Sequence, residues 1–118
     1  MAEEVSFEIT EEANTAVVAF QSASMSDVDG ITHVSDKIKE FINKNHPQRL
    51  LFDFEEVKFF SSQILGLLLD IRARLLEHNG KVIISGINPQ LYRVFRITNL
   101  DKVFEFFPDR ESAIPSSN

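Results

Sequence analysis

No cysteine occurs anywhere in the 118-residue chain, which excludes disulfide frameworks, thiolate metal sites and cysteine nucleophiles together. Long apolar runs are missing too. The longest, Ile64 to Leu69, falls far short of the roughly 20 residues a membrane-crossing helix needs, and Gly66 interrupts it. The opening Met1-Ala2-Glu3-Glu4 is acidic and lacks the basic and apolar regions of a secretory signal, so the expectation is a cytoplasmic protein without membrane association. Basic charge is scarce: 12 Lys and Arg stand against 18 Asp and Glu, a formal net charge of −6. Such a chain repels nucleic acid and anionic membrane, so direct nucleic-acid binding is not expected. The acidity serves solubility, or presents a docking face to a basic partner.

Catalytic and metal motifs are equally sparse. His33, His46 and His78 are scattered, with no second ligand at metal-binding spacing, so neither a metal nor a cofactor is expected. Gly80 and Gly86 do not build a phosphate-cradling loop, and no nucleophile-elbow pattern surrounds any serine. Enzymatic activity has no support in the residues.

What is present is a hydrophobic content of 43%, enough for a single core in a chain of this length. One domain is expected over residues 1–114, with Pro115-Ser116-Ser117-Asn118 as a frayed tail. Val5, Phe7 and Ile9 alternate with polar residues as a half-buried strand does, and Thr15 to Phe20 reads as a second strand. The five-residue link Thr10 to Asn14 is too short for a crossover helix, so the pair forms an antiparallel hairpin.

Past a serine-rich loop, Val28, Ile31, Ser35, Ile38, Phe41 and Ile42 recur at helical spacing, with Ser26 or Asp27 as cap and Pro47 beyond the end. Arg49 to Phe54 is nearly continuous in apolar residues, the mark of a strand buried on both faces. A long helix opens at Ser61-Ser62 and closes at Asn79-Gly80, with an apolar face of Leu65, Leu68, Leu69, Arg72, Leu75 and Leu76. Lys81 to Ser85 is the next strand. Asn88-Pro89 starts a helix carrying Leu91, Val94, Phe95 and Ile97. Val103 to Phe106 reads as a last short strand, and Asp109 caps a final helical turn through Ala113. From the third strand onward strand and helix alternate, which predicts parallel pairing by right-handed crossovers. The fold class is therefore α/β: one mixed sheet of four to five strands, three main helices and a short C-terminal helix.

The most informative stretch is Val57-Lys58-Phe59-Phe60-Ser61-Ser62-Gln63-Ile64-Leu65-Gly66, where the long helix begins. It resembles the signature of STAS domains, in particular the bacterial anti-sigma factor antagonists: valine, any residue, phenylalanine, an aliphatic residue, then aspartate, serine, serine or alanine, glycine and leucine. The likeness continues through Leu51-Phe52-Asp53-Phe54, through Gly80 to Pro89, and through Phe95 to Phe104. The resemblance implies that Ser62 falls on the position phosphorylated by a partner kinase that doubles as an anti-sigma factor. Ser61 stands where the family has aspartate, Gln63 where it has a small residue, and Ile64 where it has glycine. Ser61 thereby becomes a competing acceptor, and the bulk of Ile64 is expected where a partner backbone approaches.

Asp53 at a strand end invites comparison with a phosphoaccepting receiver domain, but receivers need a helix between their first two strands and an acidic pair that this hairpin cannot supply. Asp53 is expected instead to orient loop amides near Ser62. Phe59 and Phe60 either pack in the core or form an exposed contact patch. The partner surface implied by the resemblance takes Asp53, Phe59, Phe60, Ser61, Ser62, Gln63, Ile64 and Leu65, with the turn Gly86-Ile87-Asn88 beside it. Its expected partners are an anti-sigma factor with serine kinase activity and a resetting serine phosphatase, the chain itself being a monomer or weak homodimer. The competing reading is a non-phosphorylated STAS scaffold or sensory-complex subunit, which self-association through the hairpin's open edge would favour.

Overall fold

Two residues with positive φ, Ala13 at 48° and Asn14 at 63°, turn strand β1 (Phe7–Glu12) back onto β2 (Thr15–Phe20). Positive φ at both central positions matches the twist of the flanking strands, so β1 runs to Glu12 and the connection is two residues, not five. The computed structural model describes residues 5–114, and the tail expected at 115–118 lies outside them. After β2 come β3 (Ser24–Met25), α1 (Val28–Asn45), β4 (Arg49–Asp53), β5 (Phe59–Phe60) and α2 (Gln63–Leu76). The chain continues with β6 (Lys81–Ser85), α3 (Pro89–Ile97), a 3₁₀ turn at Leu100–Lys102, β7 (Glu105–Phe107) and α4 (Arg110–Ala113).

Five strands form one sheet in the order β1-β2-β4-β6-β7, antiparallel only at the hairpin. This is the mixed α/β architecture the residue pattern predicts. In register, Val18, Phe52 and Ile84 lie side by side, and one step back so do Val17, Leu51 and Ile83. Successive residues point to opposite faces, so these rows feed two separate cores. The first faces α1, α2 and α3, where Phe20 stacks on Phe52 at 5.7 Å and meets Phe54 edge-on at 5.1 Å. The second is small, and Ala113 of α4 packs into it. β4 sits between β2 and β6 and contributes to both, which accounts for its unbroken apolar run.

Local chemistry sets the helix starts. Asp27 caps α1 by accepting from the Gly30 amide at 2.8 Å, Asn88 caps α3 through the Leu91 amide at 2.9 Å, and Asp109 caps α4 through the Ser112 amide at 2.8 Å. Hydrogen bonds from the Ser112 amide, then from its hydroxyl, hold the Asp109 carboxyl below its ordinary pKa. The α4 cap is therefore fully present above the ordinary carboxylate pKa and is lost as pH falls through the depressed one.

Three expectations are corrected. The last strand begins two residues late, because Leu100–Lys102 winds into a 3₁₀ turn that carries the chain from α3 back to the sheet edge. Val28, at the first position of α1, is exposed, since the core-facing stripe starts at Ile31. The face of α2 is rotated: Ile64, Leu65, Leu67, Leu68, Ile71 and Leu75 are buried, whereas Leu69 and Leu76 are exposed. A run apolar at almost every position offers several faces, and contact with α1 and β6 selects one.

Candidate functional site

The start of α2 is held by a pairing that periodicity does not reveal. β3 and β5 form a two-stranded parallel ribbon outside the main sheet, pairing Ser24 with Phe59 and Met25 with Phe60. The Lys58 and Phe59 amides donate to the Ala23 carbonyl at 2.8 and 3.0 Å, and the Ser61 amide donates to Met25 O at 3.0 Å. Met25 and Phe60 anchor this strap in the core, Phe60 meeting Phe54 and Phe95 edge-on at 5.8 and 6.0 Å. Alternation along the strap turns its neighbour outward. Phe59 is 54% exposed, so the two phenylalanines divide between the alternatives, one in the core and one on the surface.

The alternation breaks at the next residue, where the chain turns into α2, and the two serines part the other way. Ser62 is exposed, whereas the Ser61 hydroxyl oxygen is buried without a hydrogen-bond partner. Ser62 has helical backbone angles and its side chain makes no cap hydrogen bond, so its hydroxyl is not engaged in capping α2. The first turn closes instead through Ser61 O and Ser62 O, which accept from the Ile64 and Leu65 amides at 3.0 Å each. No acidic side chain lies in that turn, so the positive end of the helix dipole is uncompensated beside the Ser62 hydroxyl.

Ile64 is 1% exposed and belongs to the main core, so its bulk does not obstruct an approaching partner. Leu65 and Phe60 are likewise buried, and Gln63 is partly exposed. Of the expected contact residues at this helix start, the surface carries Phe59, Ser62 and Gln63.

Asp53 holds a loop amide, as expected, and an arginine besides. It shares a row with Ala19 and Ser85, on the face away from the three main helices, and is 5% exposed. Its Oδ1 accepts from the Glu55 amide at 3.0 Å, and its Oδ2 accepts from Arg110 Nε and Nη2 at 3.1 and 2.8 Å. It therefore fixes the exit of β4, through an amide of the loop that leads on to Ser62, and docks α4. Arg110 carried no sequence signal, because it lies 57 residues from its partner. Truncating it, Arg110→Ala, leaves a buried carboxylate without its cation and is expected to lower stability by about 2 kcal/mol, since the guanidinium is itself partly solvated. Urea melts of the two chains check this, and equal midpoints would refute it.

The Gly86-Ile87-Asn88 turn adjoins the loop that leads to Ser62. Gly86 has φ 68°, and a Cβ there would meet Asp53 Oδ1 and Glu55 at 3.2 Å, so both conformation and space require glycine. Asn88 Nδ2 donates to Val57 O at 3.3 Å while its Oδ1 caps α3, tying that helix to the same loop. Far from this region, the structure brings together two histidines that look unrelated in sequence. The His46 and His78 rings meet at 5.5 Å beyond the C-terminal ends of α1 and α2. Among the described residues, no group of three or more potential ligands is placed to hold a metal. Nor is any described helix long and apolar enough to cross a membrane.

A family model for the STAS domain matches residues 7–113. An anti-sigma-factor antagonist (STAS) domain protein from Planctomyces limnophilus superposes with a TM-score of 0.82 at 22% identity, over 92% of this chain and 93% of that one. The anti-sigma factor antagonist SpoIIAA in its unphosphorylated form gives 0.78 at 20% identity, over 92% and 93%. Its phosphorylated form, described as a Bacillus cell fate determinant, gives 0.70 at 20%, over 92% and 96%. With a murine solute carrier 26 family anion transporter the TM-score is 0.69 at 16% identity, over 89% of this chain and 18% of the transporter. At these identities the superpositions report a shared fold, and the family model, spanning nearly the whole described chain, reports descent: the chain belongs to the STAS domain family.

Proposed function

We propose that this chain is an anti-sigma factor antagonist, a binding module that docks in its unmodified state onto a serine kinase acting as anti-sigma factor. Phosphorylation of Ser62 releases it, and a serine phosphatase resets it. The observation that carries this reading is the exposure of the Ser62 hydroxyl at the head of α2, next to a Ser61 hydroxyl that is buried. Fold likeness to SpoIIAA, which exists in unphosphorylated and phosphorylated forms, supports it.

The physical logic is asymmetric. A phosphate adding about −1.5 to −2 charges at a helix N-terminus meets free amides and a favourable dipole, so the fold tolerates it. The complex does not. A dianion inside a binding face must be desolvated on docking, and without a basic counterpart that costs several kcal/mol.

A non-phosphorylated scaffold role is the second reading, favoured by the serine standing at the family's aspartate position and by the occurrence of this fold within a transporter. The open edge strand β1 carries exposed Glu8, Glu11 and Glu12, and like charges there oppose pairing of two copies edge to edge. Capture from the native cell with mass mapping of phosphosites separates the two. An ATP-binding kinase recovered with phosphate on Ser62 supports the first reading. Recovery of other STAS proteins with Ser62 unmodified overturns it in favour of the second.

A further inference from the structure

His46 and His78 stand on backbone that the sheet holds in place. The chain leaves α1 at His46 and α2 at Glu77, and each exit leads into one strand of the parallel pair β4 and β6. The two exits are tied together. Gln48 Nε2 donates to His78 O at 3.4 Å, and the Lys81 amide donates to Gln48 O at 2.9 Å. Gly80 lets them close up, since a Cβ there would meet Pro47 O and Gln48 O at 3.2 Å. Two exposed imidazoles therefore belong to one fixed junction, with ring centroids 5.5 Å apart and planes at 70°.

That separation suits a shared ion. With a metal–nitrogen bond near 2 Å, a ring centroid lies about 3.2 Å from a bound zinc, so centroids 5.5 Å apart subtend about 120° there, near tetrahedral. Rotation about the side-chain bonds is enough to aim one nitrogen of each ring at the common point, because the rings are already at chelating distance. We propose that His46 and His78 together bind one borderline divalent metal ion, Zn²⁺, Ni²⁺ or Cu²⁺, with water completing the coordination.

Two protein ligands are fewer than the three or four of catalytic and structural zinc sites, so the ion exchanges and folding does not depend on it. Net charge does not do the selecting. Glu11 lines the hollow beside His46 and Glu77 precedes His78, but Lys44 and Arg74 stand in the last turns of α1 and α2, Arg74 facing Asp70. Imidazole nitrogen selects instead. It favours the borderline ions, Cu²⁺ above Ni²⁺ and Zn²⁺, over Mg²⁺ and Ca²⁺, which take oxygen ligands. Binding clamps the exits of two helices at the end of α2 remote from Ser62, so the site is independent of the Ser62 switch.

Zinc titrated into the full chain, followed by calorimetry and by imidazole proton shifts, tests this. One ion per chain is expected, moving the ring signals of His46 and His78 and not those of His33, an exposed histidine within α1. His46→Asn, whose new side chain tolerates the left-handed backbone at φ 47°, and His78→Gln should each lose roughly tenfold or more in affinity. The wild-type Tm should rise by roughly 5–10 °C at free zinc about a hundredfold above Kd, and neither variant should follow. Without metal, both variants should melt close to the wild type, and Mg²⁺ should shift none of the three. A smaller loss of affinity in either variant overturns the proposal and leaves the pair an edge-to-face ring contact. His33 signals that move with the others overturn it as well, by making the binding adventitious.

Discussion

Ser62→Asp is expected to weaken binding of the kinase partner by about a hundredfold, and phosphorylation of Ser62 by on the order of a thousandfold, while Ser62→Ala stays bound and can no longer be released. The gradation follows from charge: one carboxylate against a near-dianion, each forced out of water at the centre of the docking face. The same substitution should act on the fold with the opposite sign. The first turn of α2 contains no acid, so an aspartate there meets an uncompensated dipole and adds about 0.3–1 kcal/mol of stability. Calorimetric titration with the kinase, paired with thermal melts of the free chain, reads both effects. A Ser62→Asp chain that binds as the wild type does, or a phosphate that maps to Ser61, would sink the switch.

Ile64→Gly, which restores the residue the family pattern carries, should cost about 3–5 kcal/mol instead of relieving any clash. Its side chain is 1% exposed inside the main core, so the change removes all its buried methyl and methylene groups, opens a cavity and adds the flexibility of a helical glycine. Ile64→Val, which deletes one methylene, should cost about 0.5–1.5 kcal/mol and calibrates the series. Denaturant midpoints measure all three chains. Partner affinity of the folded Ile64→Val chain should stay within about twofold, since the side chain points away from the surface. Unchanged stability in Ile64→Gly would mean that the isoleucine fills no space the core needs.

Both expectations concern the start of α2, and the strap that precedes it is not legible in the residues. A two-residue strand carries no period, so β3 and β5 look like loop in the sequence. Yet their pairing decides which of two adjacent phenylalanines enters the core, and the turn into α2 that follows leaves Ser62 exposed and the Ser61 hydroxyl buried. The rotation of α2 has a related cause: its leucines and isoleucines spread over more than one face, so the pattern does not choose between them, and packing against α1 and β6 does.

What the sequence determined by itself is everything encoded within a few residues. The caps Asp27, Asn88 and Asp109 act on amides three positions away, and the order of the five sheet strands and the helices between them follows from local periods and short connections. Tertiary structure alone decided the pairing of Asp53 with Arg110, the meeting of His46 with His78, the burial of Ile64 and the exposure of Ser62 over Ser61. Each of these depends on segments brought together by sheet register and core packing, and such contacts leave no mark at a fixed spacing along the chain.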